Sequence, residues 1–193
     1  SPLNSSVLSL ISGSTVSQSA AISVGSLRVS SVGAVTLNSA NVVNSLAAAV
    51  SGSGNGFSFA RATGGDLDIT TVDGVAGIAT NNGAISVTAS DGALTTSQAV
   101  AAGTSTVALT ASSTDNLLTI NSAVSGSGGI TYTADNMTLG GSTNATAGTV
   151  TLQPDSAAVA IDLGGADAAG ILGLTDTELD TITAGVLRIG KSD

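Results

Sequence analysis

The chain has 193 residues, 42% apolar, 2% aromatic and 9% charged, with no cysteine, no histidine and a formal net charge of −9. The missing cysteine excludes a disulfide framework and thiolate metal sites. The acidic balance excludes a face that replaces counterions on nucleic-acid phosphates or on an anionic membrane, and the apolar share is too high for a disordered linker.

Ser1-Pro2-Leu3-Asn4 has no basic stretch leading into an apolar run, so no signal peptide is read there. No window is apolar for long enough to make a transmembrane helix. From Leu8 onward a unit of apolar, small polar, apolar residues recurs. Its copies are Leu8-Ser9-Leu10, Ile22-Ser23-Val24, Val35-Thr36-Leu37, Phe57-Ser58-Phe59, Leu67-Asp68-Ile69, Ile85-Ser86-Val87, Val107-Ala108-Leu109, Leu118-Thr119-Ile120, Ile130-Thr131-Tyr132, Met137-Thr138-Leu139, Val150-Thr151-Leu152, Val159-Ala160-Ile161 and Leu187-Arg188-Ile189. Alternation of period two sends both apolar side chains to one face of a strand.

The first residues of major copies lie 22 apart (Val35 to Phe57, and Ile85 to Val107), then 23 (to Ile130) and 20 (to Val150). Extra copies at Leu118, Met137 and Val159 fall about half-way. A turn of about twenty residues carrying two or three short strands predicts a parallel β-helix. Between the copies lie turn formers: Ser51 to Gly56, Gly64-Gly65, Asn81-Asn82-Gly83, Asp91-Gly92, Ser125 to Gly129 and Gly140-Gly141. Asn82-Gly83 and Asp91-Gly92 are also hairpin signals, so an antiparallel β-sandwich is the alternative fold. Ser, Thr and Asn at the corners are expected to stack on their own kind one turn away, which pairs them.

Leu174 to Gly185 breaks the pattern and reads as a short helix, an insertion at 175–184. Thr175 and Glu178 make a capping box, Leu174 and Leu179 a hydrophobic staple, Asp176 and Glu178 place charge in the first turn, and Gly185 ends it. Val186-Leu187-Arg188-Ile189 then resumes the strand unit. Residues 1–193 are therefore expected to form a single β-solenoid segment, and both ends fall inside the repeat, as in a piece of a longer protein.

Candidate chemistry is sparse. Asp66, Asp68 and Asp73, and Asp162 with Asp167, are the acidic clusters that acid–base work on sugars would need. Only Arg28, Arg61, Arg188 and Lys191 are cationic. The aromatic platforms of sugar subsites are missing, because Phe57, Phe59 and Tyr132 fall on the apolar phase. Asp66/Asp68 and Asp176/Glu178/Asp180 have the spacing of oxygen ligands for calcium, but solvated turns and helix capping account for them. Gly164 to Gly170 is only faintly like a calcium-binding glycine repeat. Gly52 to Gly56 has no following lysine for a phosphate cradle. Asn4, Asn136 and Asn144 head glycosylation acceptor triplets that a chain rich in Asn, Ser and Thr produces by chance. The pairs Thr104/Thr106, Thr131/Thr133 and Thr149/Thr151 do not keep one phase, as a flat ice-binding array requires. No catalytic, cofactor or metal residue is assigned.

Two stretches resemble the repeats of very large bacterial surface proteins related to filamentous haemagglutinin. One is Asn44-Ser45-Leu46 through Phe57-Ser58-Phe59, followed by Leu67-Asp68-Ile69 through Gly77-Ile78; the other is Gly173-Leu174-Thr175 through Ile189-Gly190. The resemblance covers roughly residues 30 to 190. It implies a right-handed parallel β-helix exported by two-partner secretion or an autotransporter route and displayed outside a Gram-negative cell, in adhesion, aggregation or biofilm formation. The amino-terminal secretion domain of the two-partner family and an Arg-Gly-Asp tripeptide are both missing from this sequence. The expected function is thus a non-enzymatic stiff stalk. Its partners would be neighbouring repeats, its own coil ends, and a host, cell-surface or matrix ligand. It would need no cofactor, no nucleic acid and no membrane insertion. The alternative is a carbohydrate-binding or polysaccharide-degrading β-helix protein.

Overall fold

The computed structural model describes residues 6–62 and 64–191. More than half of them lie in short β-strands, most of those in two sheets of parallel strands, and there is one helical turn. The eight-stranded sheet takes its strands in chain order: Val16–Ser17, Val35–Asn41, Phe57–Arg61, Ile85–Ser90, Thr106–Ser112, Gly129–Thr133, Thr149–Gln153 and Val186–Ile189. Between each of these and the next, the chain crosses to a twelve-stranded sheet and returns. Every lap thus lays one rung on the rung below, and no sheet closes on itself.

The register follows the sequence spacing. Val35 pairs with Phe57, Ile85 with Val107, Val107 with Ile130 and Ile130 with Val150. Two continuous inward files result, Val35–Phe57–Ile85–Val107–Ile130–Val150 and Leu37–Phe59–Val87–Leu109–Tyr132–Leu152. All are buried to within 1%. Burying each large member stabilises the fold by about 1.5–3 kcal/mol. The antiparallel alternative is therefore incorrect: the ladders of both large sheets are parallel, and among the described strands only Thr71–Val72 and Val75–Ala76 pair antiparallel.

The twelve-stranded sheet changes character along the molecule. Val7–Ser12, Ser26–Ser31 and Ser45–Val50 are single long rungs. Above Ser45–Val50 the sheet forks. Ser45 and Leu46 pair with Asp68 and Ile69, beginning a leading column continued by Leu94–Thr96, Leu117–Ile120 and Asn136–Leu139. Ala48 to Val50 pair with Ile78–Thr80, beginning a trailing column of Val100–Ala101, Val124–Ser125, Thr143–Asn144 and Ile182–Thr183. Two-residue rungs of this kind leave almost no alternation to read, and the triplet pattern passes over them.

The fork is where the chain inserts the hairpin Thr71–Val72/Val75–Ala76. Its turn, Asp73-Gly74, has positive φ at both residues (46° and 78°), the geometry that closes a two-residue hairpin. Asn82 (φ 62°) and Asp91 (φ 56°), the dipeptides that signal hairpins in the sequence, instead turn corners between parallel rungs. The hairpin lies back over the outer face of the earlier rungs: Ala47 and Val72 are both buried. At its tip Asp73 accepts a hydrogen bond from Ser9 and sits 3.6 Å from Arg28. Ser9, Arg28 and Ala47 are successive members of one outward file, so the hairpin straps three rungs.

A longer insertion, residues 154–181, interrupts the last lap. It carries a separate parallel pair, Ala160–Leu163 with Ile171–Leu174, and the helical turn Asp176–Leu179. Three expectations are corrected here and nearby. Ala160–Leu163 is exposed throughout, with Ile161 at 39%, so Val159-Ala160-Ile161 is not a rung of either main stack. Ile22-Ser23-Val24 supplies only an isolated bridge, Ser23 to Val42. The helix is one turn rather than 175–184: its capping box is present, but Ile182–Thr183 pair with Thr143–Asn144, because ladder bonds to an existing edge outcompete helix propagation.

Most polar corners are paired individually rather than by like-on-like stacking, while the buried Thr96 Oγ1 has no hydrogen-bond partner. Buried Asn41 donates to Gln18, Leu37 O and Ala60 O and accepts from Gln18 and the Ile22 amide. Thr143, in an otherwise apolar file, meets the Tyr132 hydroxyl at 3.0 Å across the core. Burial pushes the Tyr132 phenol well above its ordinary value, and the Thr143 bond offsets only part of that.

Candidate functional site

Three places hold polar side chains that the backbone ladders leave over. The first is the corner where the Phe57–Arg61 rung turns into the leading column. Arg61 extends the inward phase of its rung, between Asn41 below and Ala89 above, and is 4% exposed. Its Nε donates to Val43 O at 2.8 Å, Nη1 to Ala62 O at 3.1 Å and Nη2 to Asn44 Oδ1 at 3.1 Å. Gly65 lies against the guanidinium so closely that a Cβ there would collide with Nη2. No carboxylate among the described residues pairs with Arg61; the ion pair found there is Arg28–Asp73.

Beside this guanidinium opens a cleft of about 560 Å³ lined by Asn44, Arg61, Gly65, Asp66, Asp68 and Thr95, among others. Asp66 and Asp68 are each pinned by one oxygen, Asp66 Oδ1 to the Ala93 amide at 3.0 Å and Asp68 Oδ1 to the Ser97 amide at 3.3 Å. Both amides belong to the next lap, so neighbouring rungs hold the two carboxylates in place. Of the first predicted acidic cluster, the structure brings Asp66 and Asp68 together and sends Asp73 to the hairpin tip.

The second place is a seam at the top of the leading column. In place of another backbone rung above Asn136–Leu139, two carboxylates bridge to the 154–181 insertion. Asp167 accepts from Met137 N–H and Gly173 N–H, both at 2.9 Å. Glu178 accepts from Leu139 N–H at 3.1 Å, from Thr175 N–H at 3.0 Å and from Thr175 Oγ1 at 2.7 Å. Burial raises the Asp167 carboxyl above its usual value; the two amides pull it back only in part, and the Glu178 charge adds to the rise. Asp167 therefore works with Glu178 and not with Asp162, which lies on the exposed Ala160–Leu163 strand. Glu178 is committed on both oxygens, which removes it from the Asp176/Glu178/Asp180 set.

The third place is a corner around Asp135, which is 1% exposed. Burial pushes its carboxyl up, but the Ser156 hydroxyl and the amides of Ser156, Asp115 and Asp155 together outweigh that and hold it below its usual value. Asp155 in turn accepts from the Ser113 amide, and Lys191 reaches Asp155 O at 3.3 Å. Sequence spacing gave no sign of this corner, because its members come from successive laps.

Among the described residues no group of three or more His, Cys, Asp or Glu is placed to hold a metal ion. Phe57, Phe59 and Tyr132 are buried in the core. Arg188 stands beside Thr151 on the last rung. Thr131 pairs with Thr151 one lap on, Thr88, Thr110 and Thr133 share one outward file at the lap spacing, and Thr104 lies off the strands. Asn136 spends its amide nitrogen on Asp115 O, and Asn144 accepts from the Thr146 amide and hydroxyl. Asn4 lies outside the described residues. No described helix is long and apolar enough to cross a membrane. No protein-family model, no curated protein and no solved structure matches this chain.

Proposed function

We propose that this chain is a non-enzymatic segment of a bacterial surface or secreted adhesin, built as a right-handed parallel β-helix and acting as a stiff stalk outside a Gram-negative cell. The observation that carries the reading is the parallel pairing that runs through all eight strands of the eight-stranded sheet, one rung per lap, with a register shift between Leu37 and Asn41. Stability in such a stack is a sum of rung and neighbour terms, so the element can be lengthened without redesign. The right hand follows from the near-universal handedness of parallel crossovers. The resemblance to haemagglutinin-related repeats supplies the cellular setting, and the small outward side chains suit a surface that extends rather than reacts.

The test is to insert this segment between a surface anchor and a tagged tip on a Gram-negative cell. A stalk keeps the tag accessible to antibody and moves it outward in proportion to added laps. A tag that stays at the membrane, or turnover of any member of a panel of acidic polysaccharides by the purified chain, would overturn the reading.

A further inference from the structure

We propose that the cleft beside Arg61 binds a neutral saccharide or other polyol through its hydroxyl groups. The inference deepens the adhesion reading by naming a ligand class. It stands apart from that reading in its test, which uses the purified chain in solution and asks nothing about a cell surface.

The argument begins with what the cleft leaves unused. Asp66 and Asp68 each commit Oδ1 to a backbone amide, and neither Oδ2 has a partner among the described residues. Asn44 offers Oδ1 to Arg61 and keeps its Nδ2 hydrogens free, and Thr95 makes no side-chain hydrogen bond. Arg61 uses three of its five N–H groups and keeps one on each Nη. A nearly buried guanidinium without a carboxylate costs free energy unless its remaining donors are met. Acceptors and donors therefore line one cleft, and those of Asn44, Arg61, Asp66 and Asp68 are each anchored at one atom and free at another. Such pre-organisation lowers the entropy cost of binding.

Charge selects among ligands. With one cation and two carboxylates the lining is net negative, which repels phosphates, sulfates and uronates. The guanidinium beside the carboxylates works against a bare divalent cation. Hydroxyl groups donate to Asp66 and Asp68 and accept from Asn44 and Arg61, so a neutral polyol satisfies every free atom. With no aromatic face in the lining, stacking contributes nothing, and affinity is in the millimolar range. Asp68 and Thr95 are consecutive members of an outward file continued by Thr119 and Thr138, so hydroxyl-bearing positions continue along the rungs from the cleft.

The experiment titrates the intact chain, followed by amide NMR, with sorbitol, glucose and maltotriose, and separately with glucuronate and calcium chloride. The expected result is a saturable shift of the Asn44, Asp66, Asp68 and Thr95 amides with the neutral probes, weaker with glucuronate. Asp68→Asn keeps an acceptor for the Ser97 amide and turns the free acceptor into a donor. Thr95→Val removes only the hydroxyl at nearly constant shape. Each is expected to weaken the neutral probes about tenfold, the worth of one hydrogen bond to a charged or pre-oriented group. Thr110→Val, on the eight-stranded sheet and away from the cleft, is expected to change nothing. Three results would each overturn the proposal: no saturable shift with any neutral probe, glucuronate or calcium acting as strongly as the neutral probes, or full binding retained by both Asp68→Asn and Thr95→Val.

Discussion

Residues 85–153 and residues 154–181 solve the same problem, covering the edge of the rung below, by different means. In 85–153 every lap does it chiefly with backbone, N–H to C=O, and the inward apolar side chains fill the core. In 154–181 the covering strand brings its own amides to the seam, and the carboxylates of Asp167 and Glu178 stand between two sets of donors. A backbone ladder carries no charge and is indifferent to pH. A carboxylate seam closes an exposed edge against further pairing, a protection that edge strands need, but it ties that closure to ionisation.

The contrast can be broken at four points. The largest effect belongs to the backbone-paired stack. Phe59→Ala empties a fully buried position between Leu37 and Val87 and is expected to cost about 3–5 kcal/mol, read from denaturant melts. An effect below about 1 kcal/mol would mean that the core is far looser than its burial indicates.

Next comes the Asp135 corner. Asp135→Ala removes the acceptor of the Ser156 hydroxyl and of the Ser156, Asp115 and Asp155 amides and is expected to cost about 1–3 kcal/mol at neutral pH. The folded carboxyl lies below its unfolded value, so this stability is present above the unfolded pKa and is lost as pH falls through the folded one. The gap between wild type and variant should therefore close on acidification, and a gap that widens would sink the assignment.

Asp167 should show the opposite slope. Its folded carboxyl lies above its ordinary value of 3.8, so its contribution is greatest below that value and declines as pH rises through the folded pKa. Urea melts of wild type against Asp167→Asn should show the wild type losing ground with rising pH. Parallel slopes for Asp135 and Asp167 would erase the distinction between the two carboxylates. The smallest effect is at the hairpin tip: Asp73 is more than half exposed, so Asp73→Asn is expected to change stability by less than about 1 kcal/mol.

Much of the fold was legible because the eight-stranded sheet uses rungs long enough for two inward side chains. Val35/Leu37, Phe57/Phe59 and Ile85/Val87 announce themselves by alternation, and their spacing gives the register. The capping box at Thr175 and Glu178 was equally plain, being local. The trailing column was not, because Val100–Ala101 and Val124–Ser125 are two residues long, and alternation has no meaning over two. The strap was hidden for another reason. Asp73-Gly74, Asn82-Gly83 and Asp91-Gly92 are chemically alike, and all three place a residue at positive φ; only the strands that flank them decide hairpin or corner. Of the cleft, Asp66 and Asp68 were visible as a pair, but Arg61 was one cation among four until Val43 and Asn44 were seen to hold it.

Composition and alternation, which act over a few residues, determined by themselves that this chain makes short strands with a Val, Ile, Leu and Ala lining, and turns between them. Which strand lies on which was settled only by the assembled stack. A rung's N–H and C=O groups find partners a full lap away, and Arg61 and Asp167 acquire their surroundings from laps that no local pattern connects.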